Sequence, residues 1–310
     1  MTFRFPSVLS HVCQASIRLT PKKKYDLFQM KRKFTKLETP NPVKRTKVTM
    51  ATRHIDLTPK ENQLRLVLLD VARYIDESKE IKEKLELRFA GGWVRDKLLG
   101  IQSHDIDTAI NATTGLYFCE KLQEYFKEPD NMKKHSLEAT DLGNLYTVAK
   151  NPDKSKHLET ANKKILGFEV DFVNLRKETY SEDSRNPQME FGTAEEDALR
   201  RDANINALFY NLHKDEVEDF VGGLEDLDSK MIRTPLEPKT TFTDDPLRVL
   251  RLIRFASRLG FKIDEGTENC MSEPEVMEAL KMKISRERVG IEVTKMLKGI
   301  CCFQKESVLF

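Results

Sequence analysis

Hydrophobic and polar residues alternate in the first third of the chain, just before a pair of glycines. Residues 85–89 follow the two-residue period of a strand, and Gly91 with Gly92 permits a tight turn. Residues 93–99 then fit a short helix. A strand, a glycine turn and a helix N-terminus together predict an anion-binding turn, because free backbone N–H groups and the helix dipole point at the ligand.

Two aspartates follow this turn in a second segment that has the strand period. Asp105 and Asp107 are one residue apart, so a strand would place them on one face, with their Cα atoms about 6.6 Å apart. Ile106, Thr108 and Ile110 would pack on the other face. Two carboxylates at this spacing suit a pair of Mg²⁺ ions ~3.5–4 Å apart. An isolated Asp-x-Asp is usually a solvated turn, but its position one short helix after a glycine turn favours a metal site.

A later segment has the period of an amphipathic helix. Pro246 suits its first turn and Gly260 its end. Its apolar face consists of Val249, Leu252, Ile253, Ala256 and Leu259. Its arginines are Arg251, Arg254 and Arg258 on the opposite face, with Arg248 at the border. We expect Arg254 and Arg258 to be solvated, since this is the usual state of such a face.

Composition narrows the class of protein. The chain of 310 residues has 39% hydrophobic and 33% charged residues, which is typical of a globular protein with a charged surface. No apolar run approaches the roughly 20 residues of a membrane span. The five cysteines lack zinc or disulfide spacing and predict reduced thiols inside a cell. Residues 111–165 are polar and rich in lysine, and predict a mobile surface segment.

The first 55 residues predict a disordered basic targeting tail. Residues 1–25 contain basic residues and serines but no Asp or Glu, which is typical of a mitochondrial presequence, although a merely disordered tail has the same composition. Basic clusters at 31–33 and 44–47 are typical of nuclear targeting or loose RNA attraction. Mitochondrial, nuclear and cytoplasmic forms could arise from starts at Met1, Met30 and Met50.

The glycine turn and the aspartate pair resemble the first motif of the nucleotidyltransferase superfamily, and most closely that of the class II tRNA nucleotidyltransferases, the CCA-adding enzymes. Further segments resemble the other motifs in order, at residues 195–211, 217–227, 243–261 and 283–299. The resemblance implies an α+β fold, with a catalytic head built on a small mixed β-sheet at residues 56–235 and a helical neck at 236–299. Residues 300–310 form an atypical end, which predicts a chain truncated before the body and tail domains of the family.

The resemblance also implies the reaction and its residues. The family adds CMP, CMP and AMP to a tRNA that lacks its CCA end, taking CTP and ATP without a nucleic-acid template. Asp105 and Asp107 would hold two Mg²⁺ ions, and Asp171 would be the third carboxylate, although Glu169 shares its strand face and the choice stays open. The implied substrate contacts are Gly91, Gly92, Arg95, Asp96, Arg201, Asp202, Asn206, Asp245, Arg248 and Arg251.

In the family the segment at 243–261 reads the incoming base, through residues that correspond to Asp245 and Arg248. Cytosine and adenine both present an exocyclic amine beside an unprotonated ring nitrogen, which a carboxylate and a guanidinium can pair with. Uracil and guanine mismatch both groups, at a cost on the order of 1–3 kcal/mol each when buried. Two alternatives remain: a poly(A) polymerase of the same superfamily, and a truncated RNA-binding fragment without activity. Nothing in the sequence requires an obligate protein partner.

Overall fold

The structure is a computed structural model and describes residues 53–148, 160–181 and 184–306. Residues 1–52 of the predicted targeting tail, and residues 149–159 of the lysine-rich segment, lie outside the described residues. The first helix is α1 (Pro59–Ser78). The Thr58 side chain accepts a hydrogen bond from the Glu61 backbone, and the Glu61 carboxylate accepts one from the Thr58 backbone, which satisfies two free donors at the helix start.

Helices surround the sheet and continue beyond it. Those of the N-terminal part are α2 (Gly92–Leu98), α3 (Gly115–Tyr125), α4 (Pro129–Lys134), α5 (Ala194–Leu199) and α6 (Gly223–Ser229). Those of the C-terminal part are α7 (Pro238–Asp244), α8 (Leu247–Leu259), α9 (Glu265–Met271), α10 (Pro274–Lys283) and α11 (Arg286–Glu306). Among the residues that the structure describes, none of these helices has the length and apolar character that crossing a membrane requires.

The strands of the central sheet are β1 (Leu87–Ala90), β2 (Asp105–Ile110), β3 (Leu142–Val148), β4 (Thr160–Ile165), β5 (Phe168–Asn174), β8 (Leu208–Asn211) and β9 (Glu216–Asp219). Their order is β3-β4-β5-β2-β1-β8-β9, and β2 with β5 is the parallel pair in an otherwise antiparallel sheet. Two smaller pairs are β6 (Arg176–Ser181) with β7 (Ser184–Phe191), and β10 (Met231–Ile232) with β11 (Lys262–Ile263). A mixed sheet surrounded by helices confirms the predicted α+β fold.

The parallel pairing of β2 and β5 fixes which carboxylates are neighbours. Asp105 lies opposite Glu169, and Asp107 lies opposite Asp171. Ile106 and Thr108 are buried on the other face, as the alternation predicts. One face of two adjacent strands therefore carries four acidic side chains.

The helix predicted to have Pro246 in its first turn and to end at Gly260 is α8. Pro246 precedes its first residue, and Gly260 ends it in the left-handed conformation, with φ at 67°. The apolar face buries Val249, Leu252 and Ile253, and α11 packs along α8. The boundary between head and neck near residue 235 stays a prediction.

Candidate active site

An open cavity of about 530 Å³ lies where the glycine turn, the residues before β8 and helix α8 meet. Ten of the thirteen residues that the sequence singles out line it: Gly91, Gly92, Arg95, Asp107, Arg201, Asp202, Asn206, Asp245, Arg248 and Arg251. The other three, Asp96, Asp105 and Asp171, do not line it. Segments up to 160 residues apart in sequence thus meet at one concave surface.

Gly91 is required at the turn for two reasons. Its φ of 70° with ψ of −126° is a conformation that residues with a side chain rarely adopt. A Cβ atom there would also lie 2.7 Å from Nη1 of Arg201. The missing side chain therefore lets the Arg201 guanidinium lie against the turn, where it donates to the carbonyl oxygen of Asn206 over 2.9 Å.

A chain of hydrogen bonds joins this turn to α8. Arg95 donates to the Asp96 carboxylate over 2.8 Å and also to Oδ1 of Asn206. Asn206 in turn donates to Oδ1 of Asp202 over 3.1 Å. Nε of Arg251 donates to Oδ2 of Asp202 over 2.5 Å. Asp96 thus orients Arg95 without lining the cavity itself. A direct contact between Asp96 and the substrate stays a prediction.

Asp202 is a buried carboxylate that remains ionised. Burial by itself would raise its pKa, but Arg251, Asn206 and Arg248 outweigh that effect and lower the pKa to about 2. An ionised Asp202 can accept hydrogen bonds only, which suits an acceptor for a ribose hydroxyl.

Asp107 lies at the edge of the cavity beside further carboxylates. Burial raises its pKa; Arg201 opposes this effect, and the charges of Asp171 and Asp105 add to it. The Asp107 side chain reaches the solvent of the cavity, yet protein surrounds it closely enough to disfavour its charge. Asp171 acts on Asp107 directly and accepts a hydrogen bond from Asn162 over 2.8 Å. Asp171 is thus the neighbour of Asp107, whereas Glu169 is the neighbour of Asp105, and the choice between them as third carboxylate stays open.

The donor set on this strand face fits a hard cation. Carboxylate oxygens are the preferred protein ligands of Mg²⁺, which commonly takes one or two carboxylates and completes its shell with water and substrate phosphates. Within the described ranges, no three His, Cys, Asp or Glu side chains come close enough to form a complete cage. Asp105 and Asp107 offer such carboxylate oxygens at exposed positions of one strand face.

Arginines dominate the remaining walls, and two acidic side chains that the sequence analysis missed hold some of them. Asp197 is buried and accepts hydrogen bonds from Arg200 over 2.6 Å and from Arg201 over 3.0 Å. Glu178 accepts from Arg176 over 2.8 Å and from Arg200 over 3.3 Å. The spacing of Asp197 from the two arginines, three and four residues, is the helical pairing distance and could have identified it.

The predicted base-reading pair lies at the N-terminus of α8. Arg248 is buried and donates to the carbonyl oxygens of Arg200 over 2.7 Å and Thr241 over 3.3 Å. The Asp245 carboxylate accepts from the backbone of Leu247 over 3.1 Å. Both side chains are held by backbone groups of their surroundings, and both line the cavity.

The expectation that Arg254 is solvated was wrong. Its side chain is 13% exposed, because it donates to the buried carboxylate of Glu292 on α11 over 2.7 Å. Arg258, by contrast, is 52% exposed, as expected. Phe255, which the sequence analysis overlooked, also lines the cavity.

Comparison with known proteins shows which proteins this chain is similar to. Residues 87–233 match the family described as the poly(A) polymerase head domain. The chain is 62% identical over 254 residues to nucleotidyltransferase lcsQ of Purpureocillium lilacinum. The aligned region covers 82% of this chain and 43% of the relative. It is 53% identical over 247 residues to the mitochondrial CCA tRNA nucleotidyltransferase of Saccharomyces cerevisiae. That aligned region covers 79% of this chain and 44% of the relative. The chain thus spans less than half the length of these relatives.

Two solved structures of similar proteins superpose on this chain. A CCA-adding enzyme in an apo form superposes with a TM-score of 0.62 at 27% identity, over 81% of this chain and 54% of that chain. A tRNA nucleotidyltransferase complexed with a primer tRNA and an incoming ATP analogue superposes with a TM-score of 0.53 at 27% identity, over 77% and 61% of the two chains.

Proposed function

We propose that this chain, whose residues 87–233 match the poly(A) polymerase head-domain family, carries the catalytic site of a CCA-adding tRNA nucleotidyltransferase. In the reaction, the 3′-oxygen of a tRNA that lacks its CCA end forms a bond with the α-phosphorus of CTP or ATP. The bond from that phosphorus to the leaving pyrophosphate breaks, and the hydroxyl proton passes to solvent. The observation that carries the proposal is the convergence of ten motif residues from distant segments on one cavity.

The acidic strand face supports a metal-dependent reaction. Asp105 and Asp107 would hold two Mg²⁺ ions, and Asp171 would be the third carboxylate. When bound, the metal supplies Lewis-acid stabilisation of the developing phosphate charge. The raised pKa of Asp107, which comes first from burial and then from the charges of Asp171 and Asp105, supports this role, because a bound cation would stabilise the charged form.

The arginines near the turn would bind the triphosphate. Arg95 is oriented by Asp96 and Asn206, and Arg201 by Asp197 and the Asn206 carbonyl. A guanidinium held in this way is a rigid fork that matches phosphate oxygens. The backbone of Gly91 and Gly92 would approach the phosphates closely, because neither residue has a side chain.

Asp202 and the start of α8 would select the nucleotide. Asp202 stays ionised and would accept the ribose 2′-hydroxyl, the group that separates ribonucleotides from deoxyribonucleotides. Asp245 would accept from the exocyclic amine of cytosine or adenine, while Arg248 would donate to the adjacent ring nitrogen. Anchoring of Arg248 by two backbone carbonyls supports such a fixed template.

Primer extension with single nucleotides tests the proposed function. The substrate is a tRNA without its CCA end, offered with Mg²⁺ and labelled CTP, ATP, UTP or GTP. Incorporation of CTP followed by ATP supports the proposal, whereas incorporation of ATP alone would favour a poly(A) polymerase. Selective binding of CTP and ATP without incorporation would favour the rival fragment, in which the pocket is present but RNA is not held productively.

A pair of matched variants decides the third carboxylate. Asp171→Asn and Glu169→Gln each remove one charge from the same strand face without changing side-chain size. If Asp171 is the third carboxylate, Asp171→Asn abolishes incorporation while Glu169→Gln retains most of it. The reverse pattern would assign the role to Glu169.

The proposal extends to the cellular location, on the basis of the tail and one relative. The yeast relative is named as mitochondrial, which supports a mitochondrial form of this protein that starts at Met1. The basic clusters support nuclear and cytoplasmic forms from Met30 or Met50. Fluorescent fusions that begin at each methionine test this, and identical distribution of all three would contradict it.

A further inference from the structure

One aromatic ring in the cavity wall contacts three arginines. The guanidinium carbon of Arg254 lies 4.5 Å from the centre of the Phe255 ring, that of Arg95 lies 5.6 Å away, and that of Arg251 lies 5.7 Å away. All three distances fall within the ≈ 6 Å reach of a cation–π interaction. Phe255 as a whole is 5% exposed, so packing fixes its position.

These three arginines each pair with a different carboxylate. Arg95 pairs with Asp96 on α2, and Arg251 pairs with Asp202 in the segment before β8. Arg254 pairs with Glu292 on α11. Phe255 therefore contacts arginines of α2 and α8 whose carboxylate partners lie on α2, in the segment before β8 and on α11.

The charge of the cavity explains why such a contact is needed. Eight arginines line it against four carboxylates, so like charges are crowded together. A further carboxylate would hold the arginines but would cancel the attraction for a polyanionic ligand. An aromatic face attracts guanidinium groups through its quadrupole and occupies none of their N–H donors. Arg95 and Arg251 thus keep their positive charge and their directional donors.

We propose that Phe255 is a positioning residue for the incoming nucleotide, because its ring fixes the Arg95 and Arg251 guanidinium groups at the cavity. Arg95 then presents its donors toward the triphosphate, and Arg251 keeps Asp202 oriented for the ribose. This inference rests on the proposed function, which supplies the nucleotide as ligand.

Phe255→Leu tests the inference, because it keeps an apolar side chain of similar size and removes the aromatic face. Loss of the cation–π contacts with Arg95 and Arg251 is expected to weaken the binding of CTP and ATP about 5–30-fold. This should appear in KM and in the equilibrium Kd, with kcat within about twofold. Phe255→Tyr keeps the ring and is expected to stay within about threefold of the wild type. Phe261→Leu is the matched control, since Phe261 is also buried but does not line the cavity.

Calorimetry with inorganic triphosphate provides a readout that needs neither base nor tRNA. Phe255→Leu should weaken the binding of inorganic triphosphate, whereas Phe261→Leu should lower only the melting temperature. Equal affinities in the two leucine variants, or a Tyr variant as weak as the Leu variant, would overturn the inference. A wild type that binds inorganic triphosphate yet adds no CTP or ATP to tRNA would instead contradict the proposed function and leave the comparison of Phe255 variants decisive.

Discussion

The ion pair between Asp202 and Arg251 should make a measurable, pH-dependent contribution to stability. Burial alone would raise the pKa of Asp202, yet Arg251 and its neighbours lower it from 3.8 to about 2. At 1.36 kcal/mol per pKa unit, this lowering corresponds to roughly 2–3 kcal/mol. Because the Arg251 side chain is 39% exposed, solvent screening reduces this figure to about 2 kcal/mol.

The sign follows from proton binding. The folded-state pKa is below the unfolded value, so the unfolded chain binds more protons between the two values, and stability rises with pH there. The contribution is complete above pH ~5, is about half lost at pH 3, and disappears as the pH falls through 2.

Asp202→Asn removes this charge while keeping the size of the side chain. We expect the free energy of unfolding to fall by about 2 kcal/mol at pH 7, and the difference from wild type to shrink to about 1 kcal/mol at pH 3. Urea denaturation at the two pH values measures this, with Asp228→Asn as the control, since Asp228 is 60% exposed. A difference that does not change between pH 7 and pH 3 would show that the loss comes from packing, and would refute the electrostatic reasoning.

Three further predictions concern the turn, the acidic face and the contact between helices. Gly91→Ala should lower the free energy of unfolding by about 1–3 kcal/mol, because the turn would be strained, and urea denaturation measures this. It should also weaken nucleotide binding in calorimetry, because the new Cβ displaces Arg201. Unchanged stability and affinity would contradict the geometry. Asp107→Asn should raise the melting temperature at pH 7 in the absence of divalent cations. The reason is that the pKa of Asp107 is raised in the folded state, so its charge destabilises the fold above the unfolded-state pKa. The gain should vanish in thermal scans below pH 4, and a gain that persists there would refute the reasoning. Glu292→Gln should cost about 1–3 kcal/mol in denaturant unfolding, because Arg254 loses its buried charged partner; a loss below 0.5 kcal/mol would count against it.

The local features of the site could be predicted from the sequence because they depend on short spacings. The two-residue period places Asp105 and Asp107 on one strand face, and the structure has this arrangement. The start and end of α8 follow from Pro246 and Gly260, whose backbone preferences are local. Local chemistry is thus sufficient where the partner of a residue is its neighbour in sequence.

Contacts between distant segments could not be predicted. The partner of Asp202 is 49 residues away, and that of Arg254 is 38 residues away, so neither pairing has a sequence signal. The contacts of Phe255 with arginines of α2 and α8 require two elements to meet in space. An amphipathic pattern shows which face of α8 is apolar, but not what covers its arginine face.

The expectation of a mobile surface segment at residues 111–165 was wrong for part of it. Helix α3 buries Phe118 and Leu122, and the Phe118 ring lies 5.2 Å from that of Phe172 on β5. The four-residue spacing of Phe118 and Leu122 was a helical signal, but the surrounding lysines and prolines dominated the composition. Pattern is therefore a better guide than composition in this segment.

The most direct test of the account is nucleotide addition by the chain and by its Asp105→Ala, Asp107→Ala double variant. Both proteins would be incubated with Mg²⁺, labelled CTP and ATP, and a tRNA that lacks its CCA end, and the products would be sequenced. The account predicts ordered addition of C, C and A by the chain and none by the double variant, with both proteins folded. Addition that survives in the double variant would contradict the assignment of the acidic strand face as the catalytic centre.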